Sequence, residues 1–234
     1  MTENKFIEEI NKLGISLTKQ QLNQLNMYYE LLVEWNKKMN LTGITEKDQV
    51  YLKHFYDSLT ISKVVDLTKE KTLIDVGTGA GFPGLVLKIV FPNLNVTLLD
   101  SLNKRLNFLN EVIKKLELKN ITTIHDRCEE YAIKTREKYD IVTARAVAPL
   151  PILIEYCVPL VKVNKFFIPM KANIEEEIIN SSNAIKKLEI KSIKKETFKL
   201  PIEESTRTII KFQKINKTSK MYARKYNEIK KRSL

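Results

Sequence analysis

The sequence is poor in the residues that hold disulfide-rich folds and metal centres together. Two cysteines, Cys128 and Cys157, and two histidines, His54 and His125, are all it has in 234 residues. They form no Cys-x-x-Cys pair and no ligand spacing, so neither a disulfide framework nor a structural metal is expected. Six glycines and seven prolines exclude collagen-like and linker-dominated chains. The most apolar long run, residues 146–161, carries Glu155 and three prolines, which excludes it as a membrane span. The first ten residues lack the basic start and apolar core of a signal peptide, so a cytoplasmic monomer without membrane association is the expectation. Acids are in deficit. The chain has 40 Lys+Arg against 28 Asp+Glu, a net charge of +12. That surplus fits a polyanionic partner such as nucleic acid, although a lysine-rich proteome would produce the same total.

What remains is an ordinary globular composition, 43% hydrophobic, enough for one main domain with a sizeable core. Residues 18–39 place Leu22, Leu25, Tyr28 or Tyr29, Leu32, Trp35 and Met39 at three- to four-residue steps, the signature of a helix with one buried face. Thr18 with Gln21 makes a capping box at its start. A short helix over 5–13, ended by Gly14, and another over about 47–65 complete a helical leader (residues 1–66). The pattern then changes to short apolar runs at 72–76, 96–100, 121–125, 139–144 and 165–170, with a clear helix at 103–116 between the second and third. Alternation of this kind is the sequence form of a parallel sheet with crossover helices. Two last runs, 188–200 and 206–213, have no helix between them and read as an antiparallel pair closing the sheet. The expected fold is therefore α/β, a mostly parallel seven-stranded sheet over residues 67–214. The remaining tail, 215–234, is strongly basic. From Lys214 onward it holds eight Lys or Arg against one acid, Glu228, with Tyr222 and Tyr226 interleaved. It reads either as an RNA-contacting segment or as a frayed terminus.

The strongest local signal is Asp75-Val76-Gly77-Thr78-Gly79-Ala80-Gly81-Phe82-Pro83-Gly84, directly after an apolar strand. Glycine is needed where backbone must adopt positive φ or lie against a ligand, and the carboxyl end of the first strand is where doubly wound sheets bind ligands. Two cofactor classes compete. Gly79-x-Gly81-x-x-Gly84 fits the dinucleotide fingerprint, with Asp100 at a distance suited to ribose. Against it, the glycines begin at Gly77 directly after the strand, and Pro83 sits where a phosphate-cradling helix should open. S-adenosylmethionine carries no phosphate and asks only for backbone against ribose and methionine. Asp100 can accept both ribose hydroxyls or cap the following helix. Asp126-Arg127-Cys128-Glu129 is placed to meet a base. Arg145, just past the fourth strand, fits a cofactor carboxylate or guanine O6, or a surface salt bridge. His54 and Asp57 lie at i and i+3, neighbours on one helix face.

Taken together, Asn40-Leu41-Thr42, His54-Phe55-Tyr56-Asp57-Ser58-Leu59, the glycine loop, Leu99-Asp100-Ser101 with Lys104-Arg105, and Thr143-Ala144-Arg145-Ala146 with Met170-Lys171 resemble, in order and spacing, the RsmG (GidB) family. The resemblance covers nearly the whole chain. It implies a class I methyltransferase (Rossmann-like) fold behind an N-terminal helical extension, S-adenosylmethionine as cofactor, and methylation of guanine N7 in the 530 loop of 16S ribosomal RNA, free or within the small subunit. By matching position it implies cofactor contacts at Gly77, Phe82, Cys128, Glu129 and Arg145, with Gly79 and Asp100 joining them. Cys128 would act through its backbone. His54 and Asp57 would line the guanine pocket, Asp57 as an electrostatic aid to the reaction. Arg224, Lys225, Lys230 and Lys231 are the expected RNA contacts, though the tail continues as Tyr226-Asn227-Glu228-Ile229 where relatives often have Gly and Pro. Guanine N7 attacks with an in-plane lone pair and loses no proton, so no general base is expected. The alternative from another class is a non-catalytic RNA-binding factor that keeps a nucleotide-binding fold.

Overall fold

The computed structural model describes residues 1–172 and 174–234. Seven strands form one sheet: β1 (Thr72–Val76), β2 (Asn95–Asp100), β3 (Ile121–His125), β4 (Tyr139–Arg145), β5 (Val161–Lys171), β6 (Ile190–Lys199) and β7 (Thr206–Lys214). Their order is β3-β2-β1-β4-β5-β7-β6. The first five run parallel, and β7 is antiparallel to both β5 and β6, as the absence of a helix between the last two runs predicted. Central strands are buried on both faces, β4 along nearly its whole length, because crossover helices cover both sides of a parallel sheet. Strand order reverses between β1 and β4, so a crevice opens at the carboxyl ends of those two strands. Asp75 pairs with Thr143 there, and Val76 with Leu99, which sets the glycine loop, Asp100 and Arg145 around one opening.

The helical leader is not a separate unit. Phe6, Leu25, Tyr28, Leu32 and Phe55 share one continuous cluster with Leu73, Leu85, Phe108 and Ile141 from the sheet and its helices. Leu25, Tyr28 and Leu32, three of the positions expected on the buried face of the helix Lys19–Asn36, are fully inaccessible; burying each leucine is worth about 1.5–3 kcal/mol. The capping box at Thr18 and Gln21 forms as expected. Gln21 also donates from Nε2 to the carbonyls of Ile89 and Val90, at 2.9 Å each, satisfying the open end of the helix Gly84–Val90.

The single helix expected over 47–65 is broken. Lys47–Val50 is α-helical, Tyr51–Tyr56 widens to a π-helical turn, Asp57–Leu59 returns to α, and Thr60–Lys63 tightens to 3-10. Such π turns place side chains off the regular face and concentrate at functional sites. The tail is not frayed either. Tyr222, Ala223 and Ile229 are buried, the first two in the second hydrophobic cluster, and Tyr226–Lys231 forms a short helix.

Candidate functional site

Between β1 and the helix Gly84–Val90, Gly77, Gly79 and Gly81 have φ of 67°, 61° and 99°, values at which a side chain is strained. A Cβ at Gly77 would also lie 2.6 Å from Cγ2 of Val147. Most amides of this loop have partners. Gly77 and Thr78 donate to the Leu99 carbonyl, and Gly81 and Phe82 to that of Thr78. Gly79 donates to Asp100 Oδ2 at 2.9 Å and Gly84 to Asp75 Oδ2 at 2.8 Å. A dinucleotide loop must aim free amides at pyrophosphate; here two carboxylates occupy the places an anion would take. Two glycine amides turned to carboxylates speak against a phosphate cradle. Asp75 itself is fully buried with Oδ1 unpartnered among the described residues. Desolvation pushes its pKa up to about 6, against the downward pull of Thr78 and Gly84.

Beside the loop lies a cavity of about 360 Å³, within the usual range for small-ligand sites. Gly77, Asp100, Ser101, Cys128, Glu129 and Tyr156 are among the residues that line it. Asp100 does not occupy the N-cap of the next helix, which falls to Leu102. Its Oδ1 instead accepts from the Leu102 amide at 2.9 Å, and Arg105 lies 3.3 Å from Oδ2. Glu129 accepts from Arg127 Nε at 2.5 Å. The Cys128 thiol donates to the Tyr156 carbonyl at 3.2 Å, and burial pushes its pKa well up, so it stays protonated. Four of the expected cofactor residues, Gly77, Asp100, Cys128 and Glu129, therefore meet in one cavity. Three do not line it. Gly79 faces Asp100 through its amide. Phe82 packs among aromatic rings under the helical leader, 5.5 Å from Tyr28. Arg145 points the other way.

Arg145 and Ala146 instead wall a second cavity of about 520 Å³ across the same turn, whose next two residues, Val147 and Ala148, wall the first. Here Asp57 is gripped by two guanidinium groups, Arg145 Nη1 at 2.9 Å and Arg207 Nε at 3.1 Å. Its charge is already balanced. Asp57 thus holds two arginines in place at the cavity wall. Arg145 also donates to the Lys53 carbonyl at 3.1 Å and lies 3.4 Å from His54 Nδ1, so its salt bridge is to a buried carboxylate rather than at the surface. The His54 ring stacks on Phe82 at 4.4 Å, with Nε2 2.9 Å from Thr42 Oγ1. Burial, helped by the Arg145 charge, lowers its pKa to about 3, leaving a neutral imidazole near pH 7. Lys53, Lys171 and Glu177 complete the charged rim. Lys171 spans to the Ala148 carbonyl at 2.9 Å and to Glu177 at 2.8 Å. Arg207, Lys53 and Glu177 escaped the sequence reading. The one available signal was an arginine between two threonines, Thr206-Arg207-Thr208, in the last strand.

The tail departs furthest from expectation. Arg224 is bound in a fork to fully buried Glu155, with Nε and Nη2 each at 2.7 Å from a carboxylate oxygen. Lys230 lines the cavity beside the glycine loop. Lys225 and Lys231 remain exposed. Among the described residues no cluster of His, Cys, Asp and Glu could hold a metal, and no helix is long and apolar enough to cross a membrane.

A seven-stranded sheet of this order, with a ligand cavity at the reversal of strand order and no phosphate cradle, defines a class I methyltransferase fold. Solved structures agree. A SAM-dependent methyltransferase from Aquifex aeolicus superposes with a TM-score of 0.56 at 17% identity, covering 78% of this chain and 98% of its own. TYW2 of M. jannaschii, solved in complex with AdoMet, does so at 0.52 and 17% identity, over 64% and 73%. Sequence carries the assignment further. The family model described as rRNA small subunit methyltransferase G matches residues 21–209. The ribosomal RNA small subunit methyltransferase G of Bacillus subtilis is 51% identical over 230 residues, 96% of this chain and 95% of that protein. That of Lysinibacillus sphaericus is 50% identical over 228 residues, 96% of each. The chain belongs to the rRNA small subunit methyltransferase G (GidB) family, as its motifs implied.

Proposed function

We propose that this protein transfers a methyl group from S-adenosylmethionine to N7 of a guanine in the 530 loop of 16S ribosomal RNA. The observation that carries the reading is the pair of cavities flanking the Arg145–Ala148 turn, one bounded by carboxylates with no anion cradle, the other rimmed by four cations. The donor set of the first fits the cofactor. Asp100 and Glu129 are acceptors for hydroxyl groups, and the residues around Cys128 border the base. When bound, S-adenosylmethionine supplies an electrophilic methyl group.

The chain's own residues then have to bring a guanine to it. Arg145 and Arg207, oriented by Asp57, present donors suited to O6 and to backbone phosphate. N7 gives up no proton, and His54, neutral through desolvation, is a poor base with a pKa of about 3. Catalysis in this reading is positioning and electrostatics rather than proton transfer. Purified protein incubated with labelled cofactor and small subunits or 16S RNA, followed by cleavage specific for N7-methylguanine, tests it. A single modified guanine in the 530 loop is expected. Cofactor binding without any transfer would favour the non-catalytic RNA-binding factor, and a modified exocyclic amine or carbon would rule out N7.

A further inference from the structure

The C-terminal segment is built as a fixed wall of the cavity beside the glycine loop. Its anchor is the fork between Arg224 and Glu155, whose carboxylate is 0% exposed on the helix Leu150–Cys157. The Arg224 amide adds a third bond to the same carboxylate at 3.1 Å. A buried charge pair of this kind is strongly disfavoured from opening, because either partner alone would be left unpaired in a low dielectric. Upstream, the Arg136 guanidinium donates to the carbonyls of Thr218, Lys220 and Tyr222. Downstream, Ile229 is buried at 1% exposure.

Held at both ends, the helix Tyr226–Lys231 turns Tyr226 and Lys230, one helical turn apart, onto the cavity. The Arg127 guanidinium lies 4.0 Å from the centre of the Tyr226 ring, and Arg127 is itself held by Glu129 at 2.5 Å. This cation–π contact orients the ring, yet the residue stays 36% exposed. An aromatic ring fixed at a cavity mouth, with apolar area still open, matches a flat ligand that completes its burial. Its neighbours Arg127, Cys128 and Tyr156 surround the end of the cavity assigned to the base rather than to the ribose-binding Asp100.

We propose that Tyr226 is a cofactor-binding residue that covers the purine of S-adenosylmethionine, with Lys230 beside it, and that the Glu155–Arg224 pair positions it. Tyr226 and Lys230 would then serve the cofactor, while Lys225 and Lys231 still face solvent. This rests on the proposed methyltransferase function.

The test is calorimetric titration of wild type, Tyr226→Ala and Tyr226→Phe with S-adenosylmethionine, S-adenosylhomocysteine and 5′-methylthioadenosine, beside RNA binding and thermal melting. Tyr226→Ala should weaken all three ligands about tenfold, within the range of base–aromatic stacking, while Tyr226→Phe stays within about twofold, RNA affinity is unchanged and Tm holds. A chain ending at Lys225, which keeps the anchor, should reproduce the loss. Loss for S-adenosylmethionine but not for methylthioadenosine would overturn the contact with the purine. Unchanged cofactor affinity with weakened RNA binding would overturn the proposal and return the tail to the RNA. If wild type bound none of the three ligands, both this proposal and the methyltransferase reading would fall; if only the variants behaved like wild type, the methyltransferase reading would stand alone.

Discussion

The cavity beside the glycine loop sets Asp100, Asp126 and Glu129 beside Arg127 and Lys230, whereas the one across the β4 turn is rimmed by Lys53, Arg145, Lys171 and Arg207. The first draws its key residues from three strand ends of one sheet half, Gly77, Asp100 and Cys128-Glu129. The second gathers residues from a π-helical turn at 51–56, the ends of β4 and β5, and the antiparallel β7. One site is thus a property of the shared fold, the other of side chains brought together over 150 positions, as the Asp57–Arg207 pair shows. Damage should therefore spread differently in the two. Injury to the first should cost ligand affinity, and injury to the second should cost the structure that holds the charges.

The largest effect is expected from Asp57→Ala, which strips the common partner from two guanidinium groups. Breaking a buried pair costs about 3–5 kcal/mol, and with Asp57 4% exposed and both arginines partly able to reach water, about 3 kcal/mol is expected. Urea denaturation measures it, and a loss under about 1 kcal/mol, ordinary for a point substitution, would mean that Arg145 and Arg207 do not depend on this carboxylate. Next is Gly77→Val. Its positive φ and the 2.6 Å approach to Val147 should lower S-adenosylmethionine affinity about 100-fold with RNA affinity nearly intact. Equal losses at both ligands would show that the two cavities are not independent.

A smaller effect separates them by pH. The pKa of His54 falls from 6.5 to about 3 on folding, so the unfolded chain takes up the proton first. The contribution is fully present above pH 6.5 and is lost progressively as pH falls toward 3. Relative to His54→Gln, wild type should therefore lose about 1 kcal/mol of stability between roughly pH 7.5 and 5.5. The comparison is differential because Asp75, raised to about 6, acts in the opposite direction and cancels between the two proteins. In the same range the single-turnover methylation rate should remain flat, since no group is asked to take a proton. A rate rising tenfold per pH unit would overturn the N7 reading. The smallest effect concerns the surface cations. Lys225→Ala with Lys231→Ala should reduce the slope of log affinity against log salt by roughly 0.7–0.9 for each phosphate left without its lysine and leave cofactor affinity alone.

The glycine loop and the order of elements were legible because both are written in short stretches. Strand runs of five residues, a capping box four residues long and glycines at fixed offsets state local conformation directly, and 3.6- and 2-residue periodicities state which face is buried. Phe82, Arg145 and Arg224 were not. Phe82 stands within the loop motif, yet its side chain turns to Tyr28 and His54; Arg145 leaves the end of β4 toward Asp57 rather than Asp100; Arg224 pairs with a glutamate 69 positions away. Each is a rotamer decided by partners distant in the chain.

Local patterning was enough to specify a parallel sheet closed by an antiparallel pair, a ligand turn after β1, the family and an excess of positive charge. Only long-range packing established that the Gly79 and Gly84 amides turn to Asp100 and Asp75, that Asp57 is neutralised by two arginines, and that the basic tail folds back against the cavity beside the glycine loop. The physical reason is range. Backbone conformation follows from neighbours within a few residues, but the charge a site presents depends on which ions cancel, and ions cancel according to distance in space rather than distance along the chain.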